Sequence, residues 1–174
     1  MSKPNNVFLV GPMGAGKTTI GRIAAKNLSL KFVDLDAEIE KRCGADIPWI
    51  FDVEGEAGFR KRESLLLAEL AADEGILLAT GGGAVINPQN REVLKSRGCV
   101  VYLCASARQL LERTAHDRSR PLLQVDDPLS VLTRLMKERD PLYREVADLI
   151  VETERKKPQF VAEWVTREVR QHRC

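Results

Sequence analysis

The sequence predicts an α/β protein built on a parallel sheet with helices on both faces, and three observations carry that prediction. Five short apolar runs have strand character: "VFLV" 7–10, "KFVDL" 31–35, "ILLAT" 76–80, "VVYL" 100–103 and "LIV" 149–151. Helical patterns separate them, at 17–28, 35–43, 57–73, 88–97, 107–115, 128–138 and 158–171. Strands that alternate with helices pair in parallel, because a crossover that holds a helix returns the chain to the same end of the sheet. Finally, the residues that carry chemistry follow strand ends: Gly11 after the first, Asp34 and Asp36 at the second, Gly81 after the third. Right-handed crossovers gather those ends on one edge, where such folds bind ligands.

Length and composition bound the rest. The 174 residues suit one domain, and 44% hydrophobic with 30% charged residues is the balance of a soluble globular protein. Basic residues number 27 and acidic residues 25, too even for a nucleic-acid or acidic-membrane binder. No segment repeats or is low in complexity. The cysteines (Cys43, Cys99, Cys104, Cys174) are scattered without a C-x-x-C pair, so free thiols are expected in place of a zinc or redox site. "MSKPNN" runs directly into the first strand with no leader, and no run is long enough to span a bilayer. A cytoplasmic protein is expected. With no heptads and no apolar surface stripe, a monomer is the default.

After the first strand comes "GPMGAGKTT", 11–19, which fits G-x-x-x-x-G-K-[ST] through Gly11, Gly16, Lys17 and Thr18. Its glycines let the loop curl so that backbone N–H groups, with those of Gly14, Ala15 and Thr19 among them, face a polyphosphate at a helix N-terminus. Lys17 reaches the β- and γ-phosphates, and the Thr18 hydroxyl suits Mg²⁺. The motif predicts a nucleoside triphosphate but leaves the fate of its γ-phosphate open.

The second strand ends in "FVDLDAEI", 32–39. In an extended chain residues two apart project to one side, so Asp34 and Asp36 are expected to point together; the plainer alternative is that they cap the following helix. "DVEG", 52–55, resembles a GTPase switch, but no N/T-K-x-D motif follows it to read guanine. "GADIPWIF" before it contains Pro48 and makes a poor central strand, so 52–55 is expected to be a loop leading into the helix that carries Arg60. On that helix Leu65, Leu66 and Ala68–Leu70 are expected to face the core, and Glu63 stands one turn from Arg60, where it can hold it. A mechanical ATPase is not expected, because a single compact domain of this size, without an added coupling domain or obvious assembly face, has little to move. A kinase for a small acceptor remains.

After the third strand "ATGGGAV", 79–85, places three glycines together; their entropic cost makes a mere turn a poor explanation and bare backbone beside a ligand a better one. The polar, arginine-rich stretch "LLERTAHDRSRPLLQVDD", 110–127, reads as a lid.

Taken in order, "GPMGAGKTTIGR", "DLDAEIEKRCGADI", "FDVEGEAGFRKRE", "LATGGG", "RPLL" and "ERDPLYREVAD" resemble the successive signatures of bacterial shikimate kinase and cover nearly the whole chain. The resemblance implies a P-loop, nucleoside-monophosphate-kinase-like three-layer fold with strand order 2-3-1-4-5. It implies transfer of the γ-phosphoryl of ATP to the 3-hydroxyl of shikimate, with Mg²⁺, in aromatic amino-acid biosynthesis. One kinase domain over 1–174 then holds a shikimate-binding insert at about 34–62 and a lid at about 112–124. By the same resemblance Asp34 serves Mg²⁺ through a water, while Asp36 binds the shikimate hydroxyls. Arg60 and Arg139 meet the shikimate carboxylate, and Gly82 lies against the substrate between Gly81 and Gly83. Arg120 closes on the phosphates, Arg113 stacks on adenine, and 152–158 edges the adenine. Lys61, Arg62 and Arg144 are expected to be exposed helix charges, and His116 a surface side chain of the lid. Partners beyond shikimate and ATP are not expected.

Overall fold

A computed structural model describes residues 5–115, 117 and 120–172. His116 and Cys174 lie outside the described residues. Five parallel strands, β1 (Val7–Val10), β2 (Lys31–Asp34), β3 (Ile76–Ala79), β4 (Cys99–Cys104) and β5 (Leu149–Glu152), form one sheet in the order β2-β3-β1-β4-β5. The helices are α1 (Lys17–Leu28), α2 (Leu35–Cys43), α3 (Ile47–Ala71), α4 (Pro88–Arg97), α5 (Ala107–Thr114), α6 (Pro128–Val146) and α7 (Pro158–His172). Short 3-10 turns lie at Ala84–Ile86 and Pro121–Leu123.

The central strands are buried on both faces, and the period of two divides their side chains. Val7 and Leu9 join Leu77, Val101 and Leu103 under α1 and α7, while Phe8 and Val10 join Leu78, Val100 and Tyr102 under α3 and α4. Fully burying a Leu or Phe side chain contributes roughly 1.5–3 kcal/mol, so the three-layer sandwich follows from this double-sided pattern. In register, Leu9 pairs with Ala79 and Val101, and Ala79 pairs with Asp34. The residues just beyond these positions therefore emerge together on one edge.

Four expectations need correction. The expected loop at 52–55 is instead part of a helix that begins at Ile47: the Asp46 side chain accepts from the Trp49 N–H and Pro48 sits in the first turn, both helix-start signals. Gly55, at φ 72° and ψ 175°, then breaks α3 into two stretches. The second stretch keeps Leu66 and Leu70 in the core as expected, but buries Phe59, Glu63 and Leu67 with them and leaves Leu65, 66% exposed, Ala68 and Glu69 outside. Helix α6 runs through Pro141 to Val146; burial of Arg139, Tyr143 and Val146 carries it past the lost hydrogen bond. Cys43 and Cys104 are free thiols, but Cys99 is disulfide-bonded, which separation along the chain could not reveal.

Candidate active site

The loop after β1 opens α1, and glycine is required where it curls. Gly14 and Gly16 have φ of 80° and 94°, a region that side chains resist. Lys17 is almost fully buried, and its Nζ donates to the carbonyls of Gly11 at 2.6 Å and Pro12 at 2.8 Å. Burial, seconded by the Arg120 charge, lowers its pKa to about 7. Gly14, Gly16, Thr18 and Thr19 line a cleft with Asp34, Arg113 and Arg120. Ala15 is fully buried, with its N–H bonded to the Pro12 carbonyl at 3.3 Å.

The two aspartates sit on different elements. Asp34 ends β2 and caps α2, accepting from the Ala37 N–H at 3.0 Å, while its other oxygen accepts from the Thr18 hydroxyl at 2.6 Å. Asp36 lies in the first turn of α2, so strand geometry does not pair them, yet both line the nucleotide cleft. Asp36 also faces a second, adjoining cleft that it shares with Arg60, Glu63, Gly82, Arg120 and Arg139. Burial raises its carboxyl pKa, against the pull of Arg120, whose Nη1 lies 3.5 Å away. Arg120, also held by Asp117 at 3.2 Å, stands between the two clefts.

Arg60 and Arg139 reach the second cleft from α3 and α6. Arg60 pairs with Glu63 at 3.1 Å and with Glu56 at 3.3 Å. Glu63 is 1% exposed, and burial raises its pKa to about 7 although Arg60 opposes the shift. The three glycines fit among these side chains. A Cβ on Gly81 would stand 2.9 Å from Asp36 Oδ1, one on Gly82 would stand 3.6 Å from Arg139 Nη1, and one on Gly83 would overlap the Arg60 guanidinium. None of the three has positive φ, so space, not backbone conformation, requires glycine here. Two buried side-chain atoms have no hydrogen-bond partner among the described residues: Asp36 Oδ1 and Arg60 Nε.

Arg113 donates to the Gly14 carbonyl at 3.1 Å and to Thr153 Oγ1 and O at 3.3 Å, tying α5 to the phosphate loop and to the start of 152–158. Arg62 pairs with Glu54 at 2.7 Å and Arg144 with Asp140 at 2.8 Å, both exposed as expected. Sequence reasoning missed Tyr143, a fully buried residue whose hydroxyl donates to the Gly82 carbonyl. Its place in "RDPLY", one turn beyond Arg139, was the available signal.

A phosphate loop alone marks a nucleotide binder; a second cleft sharing Asp36 and Arg120 with it gives the phosphoryl group a destination. The class so defined is a P-loop kinase acting on a small molecule. Comparisons with known proteins narrow it. The family model described as shikimate kinase matches residues 13–170. The chain is 58% identical over 165 residues to shikimate kinase of Pseudomonas paraeruginosa, covering 95% of this chain and 96% of that one. It is 55% identical over 168 residues to that of Hahella chejuensis, covering 97% and 88%. Shikimate kinase from Acinetobacter baumannii, solved in complex with shikimate, superposes with a TM-score of 0.95 at 50% identity over 98% of this chain and 94% of that one. The chain belongs to the shikimate kinase family.

Proposed function

We propose that this protein transfers the γ-phosphoryl group of ATP to the 3-hydroxyl of shikimate, giving ADP and shikimate 3-phosphate on the route to chorismate. The observation that carries this reading is the pair of unpartnered buried atoms. Asp36 Oδ1 is an acceptor suited to a hydroxyl, and Arg60 Nε is a donor suited to a carboxylate. Both belong to residues of the cleft beside the phosphate loop.

The roles follow from position. Backbone N–H groups at Gly14, Gly16, Thr18 and Thr19 cradle the phosphates, Ala15 shapes the loop through its own bond to the Pro12 carbonyl, and Lys17 turns toward the β- and γ-phosphates. Burial lowers the Lys17 pKa to about 7 in the anion-free cleft, and a polyphosphate would raise it and favour the charged form. Arg113 presents a guanidinium whose edge is already bonded, the geometry that leaves its face for adenine. Arg60 and Arg139 grip the shikimate carboxylate, Gly82 offers backbone without a side chain, and Asp36 aligns the acceptor hydroxyl. As the oxygen–phosphorus bond forms and the bond to ADP breaks, Asp36 takes up the hydroxyl proton. The transition state of phosphoryl transfer is loose, so alignment matters more than base strength. Arg120 spans both clefts and neutralises the charge on the migrating group, an effect worth roughly three to five powers of ten in rate.

Thr18 Oγ1 and Asp34 Oδ2, 2.6 Å apart, are hard oxygens that fit Mg²⁺, Thr18 as a ligand and Asp34 through a water, since Mg²⁺ takes few protein ligands beside phosphate oxygens and water. When bound there, Mg²⁺ would supply the positive charge that offsets the phosphate oxygens. No group of three or more His, Cys, Asp or Glu among the described residues suggests another metal centre. We further infer that about 34–62 is the shikimate-binding insert and about 112–124 the lid, the latter because Arg120, Pro121 and Leu122 line the acceptor cleft. A monomer in the cytoplasm suits the reading, and no helix among the described residues is long and apolar enough to cross a membrane.

The test is product identity. With MgATP and shikimate, phosphorus NMR and mass spectrometry should find one new phosphomonoester on the 3-oxygen; a phosphate at another position, or free phosphate alone, would refute the assignment of Asp36.

A further inference from the structure

We propose that Tyr143 is a positioning residue for the acceptor, gripping the peptide that joins the two arginine-facing glycines; this rests on the acceptor reading above. A Cβ on Gly82 would stand 3.6 Å from Arg139 Nη1, and one on Gly83 would overlap Arg60, so the Gly82–Gly83 peptide passes close to both guanidiniums. Its carbonyl accepts from the Tyr143 hydroxyl, while the Gly81 and Gly83 carbonyls accept from the N–H groups of Ala84 at 3.2 Å and Ile86 at 3.1 Å. All three glycine carbonyls are thus engaged. In a trans peptide the N–H points opposite the carbonyl, so the Tyr143 bond turns the Gly83 N–H away from α6. Tyr143 lies one helical turn beyond Arg139, and its bond therefore also sets the separation of Arg139 from the glycine loop.

The hydroxyl is built for this duty. Tyr143 is fully buried and its ring stands 4.9 Å from that of Tyr102. Burial raises its pKa to about 12, so it remains a donor throughout the working range. Tyr102 supplies an internal control: its hydroxyl donates to Asp140 at 2.6 Å, in a network with exposed Arg144 and away from both clefts.

Tyr143→Phe keeps the ring and leaves the Gly82 carbonyl unpaired. The expected result is a rise in KM for shikimate of roughly tenfold, the size of one buried hydrogen bond lost, with KM for ATP within about twofold. Tyr102→Phe should leave both constants unchanged while lowering Tm. Equal loss for both substrates, or a fall in Tm with an unchanged shikimate KM, would overturn the proposal. Wild-type protein that shows no response to shikimate would remove the acceptor reading and this proposal together. Should Tyr143→Phe fail to fold, wild-type protein labelled with 3-fluorotyrosine carries the test. The sequence has only two tyrosines, and Tyr102→Phe assigns their fluorine signals. Shikimate should shift the Tyr143 signal and not that of Tyr102; a titration that moves neither would refute the role.

Discussion

Gly83→Ala separates the needs of the fold from those of the site. Gly83 has φ −97° and ψ 4°, a conformation alanine adopts, so the backbone is not strained. The added methyl would instead occupy the space of the Arg60 guanidinium. To reach ordinary contact the guanidinium must retreat by about 1 Å. Arg60 is a flexible side chain with its head partly exposed, so the retreat costs the fold little and Tm should move by no more than ~2 °C. Function is less tolerant, because a displacement of ~1 Å in a substrate-positioning group can cost about a hundredfold in rate. Steady-state kinetics with each substrate varied in turn is the assay. The expected result is a fall of about a hundredfold in kcat/KM for shikimate, with KM for ATP unchanged. A variant with unaltered kcat/KM for shikimate would show that Arg60 does not act from this position. One that lost ATP binding equally would place the damage in the phosphate loop.

Other consequences are equally direct. Arg139→Ala should raise KM for shikimate by roughly tenfold to a hundredfold, the size of a lost charge-assisted hydrogen bond, while equilibrium binding of an ATP analogue stays within about twofold. Asp34→Asn keeps a good helix cap, so calorimetry should find the fold intact while the Mg²⁺ concentration for half-maximal rate rises about tenfold; an unchanged requirement would remove Asp34 from the metal. Glu63 titrates near 7 in the folded chain against 4.5 for a free glutamate, so the folded state binds the extra proton and loses stability from this group as pH climbs from about 4.5 to 7. Relative to wild type, the Tm of Glu63→Gln should therefore increase across that window by about 5 °C, and a constant difference would contradict the burial argument.

The sheet was legible because each strand carries a short apolar run, unbroken in β1 and β3 and flanked by charge in β2 and β5, and the phosphate loop because its glycines and Lys17 have few other uses in that spacing. Helix beginnings were harder to read. Asp46 and Pro48 are as good a start signal as any in the chain, but Pro48 argues equally against a strand, and that argument alone leaves the helix unseen. Pro141 hid the end of α6 for the opposite reason, since tertiary burial overrode a local breaker. Asp34 and Asp36 were found by their chemistry with the wrong geometry: the first aspartate ends the strand and the second begins the helix. Glu63 was placed by its spacing from Arg60, but its burial depends on a helical phase that consecutive leucines obscured. Tyr143 was invisible as a site residue because its partner, the Gly82 carbonyl, lies 61 residues away in sequence.

The central claim is that the second cleft accepts a phosphoryl group onto shikimate, and an acceptor panel tests it most directly. ADP formation would be followed with MgATP alone, then with shikimate, gluconate or nucleoside monophosphates in parallel. The account predicts a large stimulation by shikimate and none by the others. Stimulation by another acceptor, or by none, would contradict it and withdraw the roles given to Asp36, Arg60 and Arg139.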